Sequence, residues 1–236
     1  MAQKILVTGA NRGIGLELAR QYADAGWTVH ACCRDPGGAA ELGALSSRQI
    51  SSGQGGAVLV HRLNVSDPKE IAALSDKLRG EALDILLNNA GVGEPKGQAF
   101  GHTDEAAWLE AFRVNTVAPL KMAEAFLENI LKGRGRTIAS ISSIMGSIAS
   151  SNGGSYIYRS TKAALNMVMR SLAMDLRHAG VKVVCLHPGW VRTRMGGPAA
   201  PVSPEESVSG IRARLDELGL EDSGKFITFR GEEIPW

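Results

Sequence analysis

The sequence predicts an α/β fold, a single doubly wound parallel sheet of about seven strands with helices on both faces. Three observations carry that expectation. Short β-branched runs alternate with stretches of helical periodicity. A glycine-rich turn stands between the first strand and the first helix. Each polar motif falls where a strand gives way to a loop, which is where parallel sheets bind their ligands. A chain of 236 residues is long enough for one sizeable core, so one domain is expected over 1–236.

Lys and Arg total 26 against 24 Asp and Glu, for a net charge of +2. That balance argues against a nucleic-acid partner or an anionic membrane surface. Cys32, Cys33 and Cys185 have no metal-ligand spacing and fit buried, reduced thiols. The apolar run at the start, Ile5-Leu6-Val7, is short for a signal peptide, and nothing downstream approaches a membrane span. A cytoplasmic protein is expected.

The first unit is Lys4-Ile5-Leu6-Val7 as a strand, Thr8 to Gly15 as a turn, and Leu16 to Tyr22 as a helix. Gly9, Gly13 and Gly15 let the backbone turn tightly and approach a pyrophosphate, with Asn11, Arg12 and Ile14 in the same turn. N–H groups at the start of the helix would meet the charge. The second strand, Gly26 to Arg34, ends where dinucleotide folds read the ribose. Arg34 there and Arg12 in the turn suit a 2′-phosphate, which predicts NADP(H) in preference to NAD(H).

Asp35 to Gly56 is rich in Gly, Ser and Ala and fits a short helix between loose turns. Ala57 to Leu63 is a third strand, followed by Asn64-Val65-Ser66-Asp67-Pro68, in which Ser66 or Asp67 can cap a helix running to Leu78. Leu83 to Leu87 is a fourth strand leading into Asn88-Asn89-Ala90-Gly91. Thr137 to Ser143 is a fifth, and Val181 to Leu186 a sixth, followed by His187-Pro188-Gly189-Trp190-Val191-Arg192-Thr193. Pro204-Glu205-Glu206 opens a short helix, and Gly224 to Phe229 is the last strand.

Tyr158 and Lys162 stand four residues apart at the head of the apolar segment Ala163 to Met169, on one face if that segment is helical. A cation beside a phenol favours the phenolate, so Lys162 is expected to lower the Tyr158 pKa and make it a general acid/base. Tyr156, six residues before Lys162, points to another side.

The T-G-x-x-x-G-x-G turn, the N-N-A-G after strand four and the Y-x-x-x-K, in this order, resemble the short-chain dehydrogenase/reductase family over nearly the whole chain. The resemblance implies a Rossmann fold and an oxidoreductase that moves hydride between NADPH and a carbonyl or alcohol substrate. It implies that Asn88, Asn89, Ala90 and Gly91 together steady the central sheet and border the cofactor, with Asn89, Ala90 and Gly91 as cofactor contacts. It places the catalytic serine at Ser143, and at Asn115 the helix asparagine that supports a proton relay from Lys162. Lys162 would also bind the nicotinamide ribose, and Pro188, Gly189, Val191 and Thr193 would contact the nicotinamide half. Asn64, with Val65, stands beside the adenine where many relatives carry Asp. A substrate lid is implied over about 194–222, closing an open, apolar carbonyl pocket.

The details Y-x-Y-R-x-T-K and H-P-G-W-V-R-T resemble the subgroup that includes C-factor and the sniffer-type carbonyl reductases. That likeness keeps a second class open, a dinucleotide-binding signalling or regulatory protein with incidental oxidoreductase activity. The helices on either side of strand five are apolar around much of their circumference, and the family resemblance, in which such helices commonly pair across a two-fold axis, implies a homodimer or homotetramer, the alternative being a monomer whose C-terminal segment covers them. No metal site is expected.

Overall fold

The computed structural model describes residues 2–52 and 56–236. Its strands form one seven-stranded sheet in the order β3-β2-β1-β4-β5-β6-β7, and every neighbouring pair is parallel. They are β1 (Lys4–Thr8), β2 (Thr28–Cys33), β3 (Ala57–Arg62), β4 (Ile85–Asn88), β5 (Thr137–Ile141), β6 (Lys182–His187) and β7 (Phe226–Thr228). Ile5, Leu6 and Val7 are fully buried because both faces of the sheet are covered, and so the run is apolar without alternation. At the edge, β3 exposes Leu59 and Arg62.

The helices α1 (Gly13–Asp24), α2 (Ala40–Ser52) and α7 (Pro204–Glu217) cover one face through Leu18, Leu42 and Ile211. The other face is covered by α3 (Pro68–Lys77), α5 (Ala118–Lys132) and α6 (Tyr156–Leu176) through Ile71, Phe126 and Leu165. Each such side chain contributes about 1.5–3 kcal/mol by leaving water. Capping agrees with the sequence: Asp67 rather than Ser66 accepts the Lys69 N–H at 2.8 Å to start α3. Ser203 caps α7, which at 14 residues is longer than the short helix expected. The loose turn expected after α2 falls on 53–55, outside the described residues.

Helix α4 (Glu105–Phe112) runs into α5 through a π turn at Arg113–Val117. Its physical cause is Pro119: a proline has no N–H for the carbonyl four residues back, here that of Asn115, and its ring would clash with it. The wider turn relieves the clash, and such turns recur at functional sites.

Beneath β2 and β3 two buried histidines meet, His30 Nδ1 lying 3.1 Å from His61 Nε2. His30 Nε2 is 3.4 Å from Glu81 Oε2, which Lys4 also holds at 2.7 Å. Burial lowers both imidazole pKa values, that of His61 to about 4.

The order in which strands are added reverses between β1 and β4, so the carboxyl ends of these two parallel strands open a crevice. All the polar motifs converge on that edge. The cysteines are free and buried, and among the described residues no helix is long and apolar enough to cross a membrane.

Candidate active site

At the crevice the glycine turn and the N-N-A-G loop interlock. Asn89 Nδ2 donates to the Thr8 and Gly9 carbonyls at 2.9 and 3.1 Å, and Thr8 Oγ1 accepts the N–H groups of Asn89 and Ala90 at 3.0 Å each. Gly9 has φ 66, and a Cβ there would lie 2.9 Å from Ala90 Cα. A Cβ on Gly15 would overlap the Gly9 carbonyl oxygen. These glycines are therefore demanded by the packing of the turn itself.

The turn leaves the start of α1 free. Arg12 is its N-cap residue and makes no side-chain cap, and no acidic residue stands in the first turn. The unpaired N–H groups and the helix dipole suit an anion. Ala10 N–H bonds to the Cys32 carbonyl at 2.9 Å, which brings the turn beside the end of β2 and Arg34. Both Arg12 and Arg34 are exposed, and neither has an ion-pair partner among the described residues. Asn64 and Val65 follow the adjacent strand β3, where the Asn64 side-chain oxygen accepts the Ser66 hydroxyl at 3.0 Å. A free helix start, a turn that excludes Cβ atoms and two unpaired guanidinium groups fit a phosphorylated dinucleotide.

The second half of the site is a cavity of about 550 Å³. Ser143, Tyr158, Pro188, Gly189, Val191, Thr193 and Ile14 line it together. Gly13 joins the two halves, since a Cβ there would lie 3.1 Å from the Thr193 methyl. Asn11, Arg12, Arg34, Asn64 and Val65 lie away from this cavity, along the neighbouring strand ends.

Two serines end β5, and the structure separates them. Ser142 is buried and donates to Asn166 Oδ1 at 2.6 Å. Ser143 Oγ accepts the Met145 N–H at 3.2 Å, and Ser143 lines the cavity together with Tyr158, where its hydroxyl favours the phenolate. Tyr158 opens onto the cavity, whereas Tyr156 is 39% exposed on the outside of the helix.

Lys162 lies behind the phenol, its Nζ 5.8 Å from the ring centroid and donating to the Ile141 carbonyl at 2.8 Å. The expected electrostatics are corrected here. Tyr158 has a raised pKa, because burial outweighs the favourable effect of the Ser143 hydroxyl. Lys162 is itself the group that falls, to about 8, through burial.

Asn115 sits in the π turn, buried, and ties three elements together. Its Oδ1 accepts the Val92 N–H at 2.8 Å, and its Nδ2 donates to the Val92 carbonyl at 2.9 Å and to Thr161 Oγ1 at 3.0 Å. Gly91 packs against it: a Cβ there would lie 3.3 Å from Asn115 Oδ1 and 3.7 Å from Lys162 Nζ.

Sequence reasoning assigned no role to Glu94, Ser155 or His187, all of which line the cavity. His187 ends β6 immediately before Pro188, and its position at a strand end was the signal available. Burial lowers its pKa to about 4, so it is neutral at pH 7. Glu94 carried no local signal, because its partner is the N–H of Ile157 at 3.0 Å, in a different part of the chain.

Comparison with known proteins agrees with this geometry. C-signal of Myxococcus xanthus is 44% identical over 155 residues, covering 65% of this chain and 93% of that protein. The crystal structure of NADPH-bound carbonyl reductase from chicken fatty liver superposes with a TM-score of 0.91 at 35% identity, covering 100% of this chain and 99% of that one. Carbonyl reductase Sniffer of D. melanogaster gives a TM-score of 0.90 at 30% identity, with 100% of both chains covered. The family model described as short chain dehydrogenase matches residues 3–202, and this chain belongs to the short-chain dehydrogenase family.

Proposed function

We propose that the protein is an NADP(H)-dependent carbonyl reductase in which Tyr158 is the general acid. The observation that carries this reading is the meeting of the Tyr158 phenol and the Ser143 hydroxyl on one cavity, with Lys162 directly behind them. The cofactor supplies the hydride. The glycine turn and the start of α1 hold its phosphates, and Asn89, Ala90 and Gly91 form the floor between the two halves. Arg12 and Arg34 receive the 2′-phosphate, and the NADPH bound by the chicken carbonyl reductase supports that preference. Asn64 and Val65 border the adenine.

Ser143 donates a hydrogen bond to the substrate carbonyl and holds it against Tyr158. The raised pKa of Tyr158 keeps the phenol protonated at neutral pH, which suits a group that must give a proton to the developing alkoxide. Lys162, near 8, is poised to return that proton, and Asn115 holds the loop and helix between which the return path lies. The segment around 194–222 closes over the substrate. Exposed Val117, Met167 and Met174 on the π turn and α6 support a homodimer or homotetramer; a single-chain mass by light scattering would exclude both.

Fluorescence titration with NADPH and NADH, followed by turnover on a carbonyl panel, tests the reading. Tyr158→Phe is expected to bind NADPH as the wild type does and to lose about 10²–10⁴-fold in kcat. Unchanged turnover in that variant would end the proposal. The 44% identity to C-signal favours one second reading, a dinucleotide-binding signalling protein. Tight NADPH binding without turnover of any carbonyl would select it.

A further inference from the structure

The cavity walls are largely apolar, with Ile144, Met145, Trp190 and Met195 around the mouth. Among the lining residues Glu94 alone carries a formal charge at neutral pH. Its Oε1 accepts the Ile157 N–H at 3.0 Å and so caps α6, the helix that carries Tyr158. It takes the place of Ser155, whose backbone is left-handed at φ 47 and whose hydroxyl makes no cap bond. Oε2 has no hydrogen-bond partner, and Glu94 has no ion-pair partner, among the described residues. Lys162, buried at the same site, donates to the Ile141 carbonyl and not to Glu94. Arg159, on the first turn of α6, is held by Asn152. One carboxylate oxygen is thus fixed by the helix while the other is uncompensated in a mostly apolar cleft, where a charge is screened less than in water.

We propose that Glu94 sets the charge selectivity of the cavity: it favours carbonyl compounds that carry a positively charged group and turns away those that carry a carboxylate. The inference rests on the carbonyl reductase reading above for the identity of the ligands. The Ser155 hydroxyl, on the same cavity, adds a second polar contact for the charged end. The apolar walls hold the body of the molecule, and its carbonyl reaches Ser143 and Tyr158.

The test uses three acetophenones of similar shape, bearing a para trimethylammonium, a para tert-butyl or a para carboxylate group. Calorimetry with and without NADP⁺ gives their affinities for the wild type and Glu94→Gln, in which the amide oxygen still accepts the Ile157 N–H. The wild type is expected to bind the cation at least tenfold more tightly than the carboxylate. In Glu94→Gln that ratio falls to within twofold, while binding of the neutral compound and the thermal midpoint hold. A ratio near one in the wild type, a ratio that survives in Glu94→Gln, or no measurable binding of any of the three overturns the proposal. Turnover of the neutral ketone is scored separately. Its absence beside an intact charge ratio would count against the reductase reading and leave Glu94 as the selector.

Discussion

The two ends of the crevice are built from different materials. The end proposed for the nucleotide is made of backbone: Gly9 and Gly15 stand where a Cβ would meet neighbouring backbone, and the charged groups there, Arg12 and Arg34, are exposed and without an ion-pair partner among the described residues. The end proposed for the reaction is made of side chains locked by partners far away in sequence. Lys162 bonds to Ile141, Asn115 to Val92 and Thr161, Ser142 to Asn166, and Glu94 to Ile157. A common diphosphate can be held by main-chain donors alone, whereas proton transfer needs particular atoms held to within a few tenths of an ångström.

The sharpest way to break this comparison is at the paired serines. Ser143→Ala is expected to lower kcat by about 10²-fold, in the range for a lost donor to a developing oxyanion, with the fold intact. Ser142→Ala leaves the buried Asn166 Oδ1 without its donor and costs about 1–3 kcal/mol of stability by denaturant unfolding. Equal kinetic losses in the two would mean that the serines are not divided between structure and chemistry.

At the backbone-built end, Gly15→Ala forces its Cβ into the Gly9 carbonyl and is expected to cost about 1–3 kcal/mol. NADPH affinity should weaken with it, as read by titration. Arg34→Ala is a smaller change. It should weaken NADPH binding by roughly tenfold, the loss of one charge-assisted contact, and leave NADH binding unaltered. An equal effect on both nucleotides would remove Arg34 from the 2′-phosphate.

A further prediction is one of pH. His61, and His30 in the same direction, have folded-state pKa values below their unfolded ones, so the unfolded chain binds more protons between about pH 4 and 6.5. Their contribution to stability is present above pH 6.5 and is lost as pH falls toward 4. For His61 the slope is up to about 1.4 kcal/mol per pH unit. His61→Gln should flatten the acid limb of a denaturation series, and a limb of unchanged slope would assign it to other groups.

Legibility followed the same division. The glycine turn, the strand succession and the Tyr158–Lys162 spacing were readable because backbone geometry and helical pitch leave marks at fixed short separations. The side-chain framework was not, since the partners of Lys162 and Glu94 lie 21 and 63 residues away. The direction of the Tyr158 shift was misjudged because spacing put Lys162 beside the phenol but gave no sign of how deeply the phenol is buried. The π turn ahead of Pro119 was not anticipated from the sequence.

That turn has a consequence for chain length. A π turn acts as one surplus residue in an α-helix, and each residue advances the helix by about 100°. The surplus at Arg113–Val117 sets α5 out of phase with α4. Removing a single amino acid there, with Pro119 also replaced, would give a more regular rod. It would also swing Asn115 about a quarter-turn away from Val92 and Thr161, so that a better helix would make a worse enzyme.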